Sequence, residues 1–176
     1  MNVALVPGEV YEKRLEIWIE KYSDAVLRTC YMFLSDRAQA EDALQDTFLK
    51  AWRSMDAFEA RNGASEKTWI LKIAVNTCIN YRRSAWFRHI DKTKIIEELP
   101  LTVTGITEES RDMFLSVMML DKKLRQVVFL YYYHELTYKE IGDMLSITAS
   151  AVKKRLDKAL KILKIQLEGR DRDEEK

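Results

Sequence analysis

Between Thr68 and Arg83 the sequence reads TWILKIAVNTCINYRR. On a helix at about 100° per residue, Trp69, Lys72, Asn76, Asn80 and Arg83 fall within one sector roughly 80° wide. Each type suits contact with nucleic acid. A ring stacks on an unpaired base, an amide hydrogen-bonds a base edge, and a cation neutralises phosphate. The combination predicts a face for single-stranded or locally opened nucleic acid. The alternative is that Trp69 caps the core and the asparagines are incidental. Ile70, Leu71, Ala74, Val75, Cys78 and Tyr81 collect on the opposite side and predict a buried face.

A second set of reactive side chains lies upstream in AQAEDALQDTFLKAWRSM, where Glu41, Asp42, Gln45, Asp46 and Arg53 share one stripe with Leu49 on its flank. Asp42 and Asp46 stand four residues apart and repel by a few tenths of a kcal/mol on a free helix, about what an opposite-charge pair would contribute. Their clustering predicts a cationic partner surface; a solvated acidic face is the plainer alternative. The same carboxylates could in principle bind metal or act as acid and base. Only His89 and His134 occur, and nothing supplies a matched nucleophile or phosphate loop. No catalytic or metal-binding residue is assigned, and no cofactor or small-molecule substrate is expected.

The net charge of +1 conceals its distribution. Residues 1–60 carry seven cations and eleven anions, whereas 61–90 carry six cations against Glu66 alone. Residues 150–165 carry Lys153, Lys154, Arg155, Lys158, Lys161 and Lys164 against Asp157. Two basic stretches therefore sit in a nearly neutral chain. A protein that bound duplex unaided would usually carry a larger overall excess, so a partner is expected.

The elements that hold these residues follow from periodicity. With 176 residues, 47% hydrophobic content, five glycines and two prolines, the chain reads as all-α. A helix is predicted from about Glu12 to Leu34, its core stripe Leu15, Ile19, Tyr22, Val26, Cys30 and Phe33. Ser35 or Asp36 caps a second, with Ala40, Leu44, Phe48, Ala51, Trp52 and Met55 inward. DAFEARNGASEKT supplies a break before the helix at Thr68, and this loop could wall a pocket for a base turned out of its stack. From His89 to about Glu109 the helical period lapses, which predicts a flexible linker between domains at 1–88 and 110–176.

In the second domain Met113, Val117, Leu120 and Leu124 recur at helical spacing. A dense apolar helix follows through Val127, Val128, Phe129, Leu130 and Tyr132. Thr137 and Glu140 form a capping box opening a helix that buries Ile141 and Leu145. Ser146, Ile147 and Thr148 make a turn, Thr148 caps again, and a long helix buries Val152, Leu156, Ala159, Leu160 and Leu163. Short helix, brief turn and long basic helix make a helix-turn-helix. Cys30 and Cys78 each lie in an apolar stripe and read as buried reduced thiols rather than a disulfide or metal pair. There is no apolar run of about 18 residues and no basic-then-apolar leader, so the expected location is cytoplasmic.

AEDALQDTFLKAW, TWILKIAVNTCINYRR and LTYKEIGDMLSITASAVKKRLDKAL occur in that order and resemble the two characteristic regions of the extracytoplasmic-function sigma factors of bacterial RNA polymerase. The resemblance covers about Tyr11 to Leu167. It implies two small helical domains joined by a flexible linker, serving promoter recognition, promoter melting and initiation in an envelope or stress response. By resemblance Glu41, Asp42, Gln45, Asp46 and Leu49 dock the clamp of the largest subunit of core RNA polymerase, and the flap of the second subunit is a further contact. The loop from Phe58 to Thr68, with Asn62, Ser65 and Asn76, resembles the pocket for a flipped base of the minus-ten element. Trp69, Lys72, Asn80, Arg82 and Arg83 would line the melted DNA beside it. Thr148, Ser150, Lys153, Lys154, Arg155 and Lys158 would read the minus-thirty-five element. An anti-sigma factor, commonly membrane-bound, is implied as a further partner and would hold the chain at the inner face of the membrane.

Some residues depart from the family's pattern. Gly142 stands where alanine is usual and is expected to weaken its helix by up to about 1 kcal/mol relative to alanine. Ser146 stands where glycine is usual, Ala151 where threonine is common, and Asn80 replaces a frequent aspartate. A stand-alone helix-turn-helix regulator is the alternative reading, and predicts tight binding to duplex without polymerase.

Overall fold

The computed structural model describes residues 7–59, 65–83 and 108–174, and these form eight helices in two units, Met1–Lys92 and Thr93–Lys176. The first unit holds α1 (Pro7–Leu34), α2 (Arg37–Arg53), α3 (Met55–Glu59) and α4 (Glu66–Arg83). The second holds α5 (Glu108–Met119), α6 (Lys122–Tyr132), α7 (Tyr138–Leu145) and α8 (Ala149–Glu174). Of the expected linker, residues 89–107 lie outside the described residues, and Glu108 and Glu109 already belong to α5. No described helix is long and apolar enough to cross a membrane.

In the first unit α1, α2 and α4 pack mutually. Ser35 turns the chain between α1 and α2 in the left-handed region, at φ 58°, its N–H donating to Tyr31 O at 2.8 Å. Asp36 then caps α2, its carboxylate accepting from Gln39 N at 2.8 Å. The core contains Val26, Cys30, Phe33, Ala40, Ala51, Met55, Ile70, Leu71, Ala74, Val75 and Cys78.

Of the residues expected in this core, Ile19 and Trp52 are exposed and Leu15 and Leu44 are half-buried. Trp18 is fully buried in α1 while Ile19 is exposed, because the ring of Trp18 meets α3 and α4. In α2, Ala43 and Thr47 are buried and Trp52 is 43% exposed. Trp52 lies about 120° round the helix from Ala40 and so turns away from the seam with α1 and α4. Cys30 and Cys78 meet in the core as free thiols, and hydrogen bonding to Cys30, then burial, push the Cys78 thiol far above its ordinary value.

In the second unit α8 packs against α5, α6 and α7. Asp121 caps α6, accepting from Lys123 N at 2.9 Å. Leu124, Val127, Val128, Phe129 and Leu130 are buried as the dense apolar run requires. Tyr132 is 57% exposed, contrary to expectation, because it stands about 200° round the helix from the fully buried Leu130 and so points away from the core. Met113 and Leu160 are likewise exposed. Arg125 is buried and donates from Nη1 to Met118 O at 2.9 Å, tying α6 to the end of α5.

The helix-turn-helix forms as the capping chemistry requires. Thr137 Oγ1 accepts from Glu140 N at 3.3 Å while Glu140 Oε2 accepts from Thr137 N at 2.9 Å. Ile141 and Met144 are buried on the inner side of α7, and Leu145 is half-buried. Ser146 ends α7 in the left-handed region at φ 56°. A Cβ on Gly142 would stand 2.6 Å from Ile147 O, a backbone atom that cannot swing away. Glycine here is thus demanded by the turn, and the expected advantage of alanine does not hold.

Candidate polymerase and nucleic-acid interfaces

Three polar faces carry the predicted residues, two on the first unit and one on the second. The stripe on α2 exposes Glu41, Asp42, Gln45 and Leu49, with Asp46 half-buried at its edge. Glu41 is paired with Arg37 at 2.9 Å, an exposed i,i+4 pair of small energetic weight. Asp46 accepts from the Tyr81 hydroxyl of α4 at 3.0 Å. Burial, then the hydrogen bond to Asp46, push the Tyr81 phenol up to about 12, so it remains a donor throughout the physiological range. Trp52 lies seven residues beyond Gln45 and within about 20° of it on the helix. It therefore joins Leu49 as an exposed apolar element of the same stripe, a member that its aromatic character hid in the sequence. Among the described residues no group of three or more His, Cys, Asp or Glu could hold a metal ion.

The face of α4 divides in two. Asn76 and Asn80 are exposed, as their shared sector predicts, and Lys72 is half-buried. Trp69 is not on the open surface: it is 8% exposed and packs against Phe58 at 5.0 Å and Trp18 at 5.5 Å between ring centroids. Phe58 is buried with it. The reason is local, since α3 covers the first turn of α4 and leaves only later turns bare. Neither ring is free to stack on a base, and the reading in which Trp69 caps the core is the one the fold adopts. The three rings form one cluster, with the Arg14 guanidinium 5.4 Å from the Trp18 centroid and 5.3 Å from that of Phe58.

Glu66, in the first turn of α4, completes this cluster. It accepts from Arg14 Nη2 and the Tyr22 hydroxyl, each at 3.3 Å. The Trp18 indole N–H faces the same carboxylate without reaching full hydrogen-bond geometry. Burial raises the Glu66 carboxyl, but these donors outweigh it and hold the group below its ordinary value. Ser65 is occupied as a cap, its Oγ accepting from Thr68 N at 3.4 Å. Asn62 lies outside the described residues; Arg82 and Arg83 close α4, their side chains likewise outside.

On α8 the N-terminal turn is capped by Thr148, whose Oγ1 accepts from Ala151 N at 3.1 Å. Ser150, Lys153, Lys154 and Lys158 are exposed and Arg155 is half-buried. Ser150, Lys154 and Lys158 follow at four-residue steps along one line of the helix, and Val152, Leu156 and Ala159 anchor the opposite side. The open side of the first turns of α8 is thus polar and cationic, and its inner side apolar.

The families described as Sigma-70 region 2 and Sigma-70, region 4 match residues 18–88 and 118–164. The chain is 28% identical over 163 residues to the ECF RNA polymerase sigma factor SigW of Bacillus subtilis, covering 85% of this chain and 86% of that protein. It is 30% identical over 174 residues to the RNA polymerase sigma factor YlaC of the same organism, covering 92% and 96%. In fold it is similar to the sigma factor RpoE of Bartonella quintana, solved with the anti-sigma factor NepR, at a TM-score of 0.72 and 20% identity over 89% of this chain and 98% of that one. It is also similar to CnrH, solved with the cytosolic domain of CnrY, at 0.61 and 19%, covering 90% of each. Two regions in the right order and relatives matched along nearly their whole length make this chain a member of the extracytoplasmic-function sigma factors of bacterial RNA polymerase.

Proposed function

We propose that this sigma factor divides its work among the three faces. The α2 stripe of Glu41, Asp42, Gln45, Asp46 and Leu49, extended by Trp52, docks on the clamp of the largest subunit of core RNA polymerase. Asn76 and Asn80, with Lys72, Arg82 and Arg83, face the melted nontemplate strand of the minus-ten element. Asn76 and the segment that includes Asn62 enclose an extruded base, for which unstacking costs a few kcal/mol. Phe58 and Trp69, buried against each other, take a supporting part in the core rather than touching DNA. On the second unit Ser150, Lys153, Lys154, Arg155 and Lys158 read the minus-thirty-five duplex, and the flap of the polymerase's second subunit is a further contact. Phosphate contacts set the register and base contacts select sequence.

The observation that carries this reading is the chemical contrast between the faces: an acidic, partly apolar stripe on α2, bare amides on α4, and a cationic line on α8. Only an assembly with both protein and DNA engages all three. An anti-sigma factor is proposed as a further partner, since RpoE and CnrH were each solved with a partner chain. Membrane attachment of that factor, and retention of the chain at the inner face of the membrane, belong to the same proposal. The test is reconstitution with core polymerase followed by sequencing of transcript starts. Defined starts absent without the chain support the reading; tight, sequence-selective duplex binding without polymerase would favour the stand-alone regulator.

A further inference from the structure

Helices α2 and α4 run antiparallel along a seam carrying two polar rungs one turn apart. Asp46 Oδ2 accepts from the Tyr81 hydroxyl at 3.0 Å, and Lys50 Nζ donates to Thr77 Oγ1 at 3.1 Å. Asp46 and Lys50 are four residues apart on α2, as are Thr77 and Tyr81 on α4. The lower rung ends on the buried hydroxyl of Thr77, with Lys50 reaching in from the exposed side of α2. The upper rung opens onto the docking stripe.

We infer that Tyr81 is a positioning residue for polymerase docking, its phenol holding the Asp46 carboxylate in the orientation that a cationic partner group meets. This rests on the reading that the α2 stripe docks on polymerase. The chemistry of the donor carries the argument. Asp46 lies four residues from Asp42 and at the edge of the stripe, so an unrestrained carboxylate would rotate away from its like-charged neighbour. A lysine or arginine at position 81 would fix it but neutralise the charge that a cationic surface needs. A neutral hydroxyl fixes Oδ2 and leaves both the charge and Oδ1 for the partner. The same bond joins the docking stripe to α4, one residue from the exposed Asn80.

The test is a double-mutant cycle on the full chain, with equilibrium affinity for core polymerase as the readout and thermal unfolding measured in parallel. Asp46→Ala should weaken binding. Tyr81→Phe, which keeps the ring, should weaken it about three- to tenfold, the scale of one partly exposed hydrogen bond. In the Asp46→Ala background Tyr81→Phe should cause no further loss, because its effect passes through the carboxylate. A purely structural tyrosine would lower affinity equally in both backgrounds and lower the melting temperature in proportion, and that result overturns the inference. Unchanged affinity in Tyr81→Phe alone also overturns it while leaving the docking reading intact. Unchanged affinity in Asp46→Ala overturns the docking reading, and the inference with it.

Discussion

Replacing Gly142 by alanine should destabilise the second unit although it improves the helix propensity of α7. Propensity alone favours alanine by about 1 kcal/mol. Against this, the new Cβ would stand 2.6 Å from Ile147 O, and ordinary contact begins at 3.4 Å. The turn at 146–148 must therefore retreat by about 0.8 Å, a contact distance short by that amount being relieved only by moving backbone. Such a shift stretches the 3.0 Å bond in which Ile147 N donates to Gly142 O. Overpacking of this kind costs about 1–3 kcal/mol and the weakened hydrogen bond up to about 1. After the propensity gain the net loss is up to about 3 kcal/mol, up to roughly 20 °C in the melting temperature of a domain this size. All four tryptophans, Trp18, Trp52, Trp69 and Trp86, precede the second unit, so tryptophan fluorescence reports the first unit alone. The loss should appear by circular dichroism as helix melting early without a matching change in fluorescence. Ser146→Gly, at φ 56°, should act oppositely and stabilise by up to about 1 kcal/mol. A Gly142→Ala protein that melts at or above the wild type refutes the steric argument.

Three further outcomes follow from the first unit. Asn76→Ala should impair open-complex formation, read by permanganate reactivity of the melted strand, while leaving association with core polymerase intact; equal loss of both would remove Asn76 from the base pocket. Trp69→Ala should lower the stability of the first unit by about 3–5 kcal/mol in urea unfolding, the range for deleting a buried aromatic, and a stable variant with only a melting defect would contradict its burial. Glu66, held below its ordinary value near 4.5, contributes stability above that pH and loses it as pH falls through the lower folded value. The melting-temperature gap between wild type and Glu66→Gln should therefore be full at pH 7 and close as pH drops below 4.5, and a gap independent of pH would rule out the carboxylate as its source.

What could be read from the chain and what could not divides along a physical line. Capping is local, and Asp36, the Thr137–Glu140 box and Thr148 all act where their spacing puts them. Periodicity gives the direction of each side chain from its own helix axis, and so finds Asn76, Asn80 and the α8 cations on open faces. It does not say where a neighbouring helix stops. Trp69 shares its sector with Asn76 yet is buried, because α3 reaches the first turn of α4 and not the second. Ile19, Trp52, Tyr132 and Leu160 fail the same way in the other direction: apolar residues at the edge of a stripe, with no helix opposite. Contacts between distant segments are harder still. The meeting of Cys30 with Cys78, and of Asp46 with Tyr81, depends on the register of α4 against α1 and α2, which no spacing within one helix encodes.

Near-neutrality itself bears on the mechanism. Each phosphate neutralised gives about 0.9 of slope in the salt dependence of binding, and the exposed cations on the first turns of α8 can meet only a few. Their contribution is offset by Asp157 on the same helix and, for the whole chain, by 28 acidic residues against 29 Lys and Arg. Free in solution the protein therefore has weak attraction for bulk DNA. On the proposed docking, the acids of α2 would be covered by a cationic partner, leaving the basic and amide faces for the promoter. On that proposal, association with polymerase would supply both the proximity and the change in exposed charge that let a few base contacts decide where transcription begins.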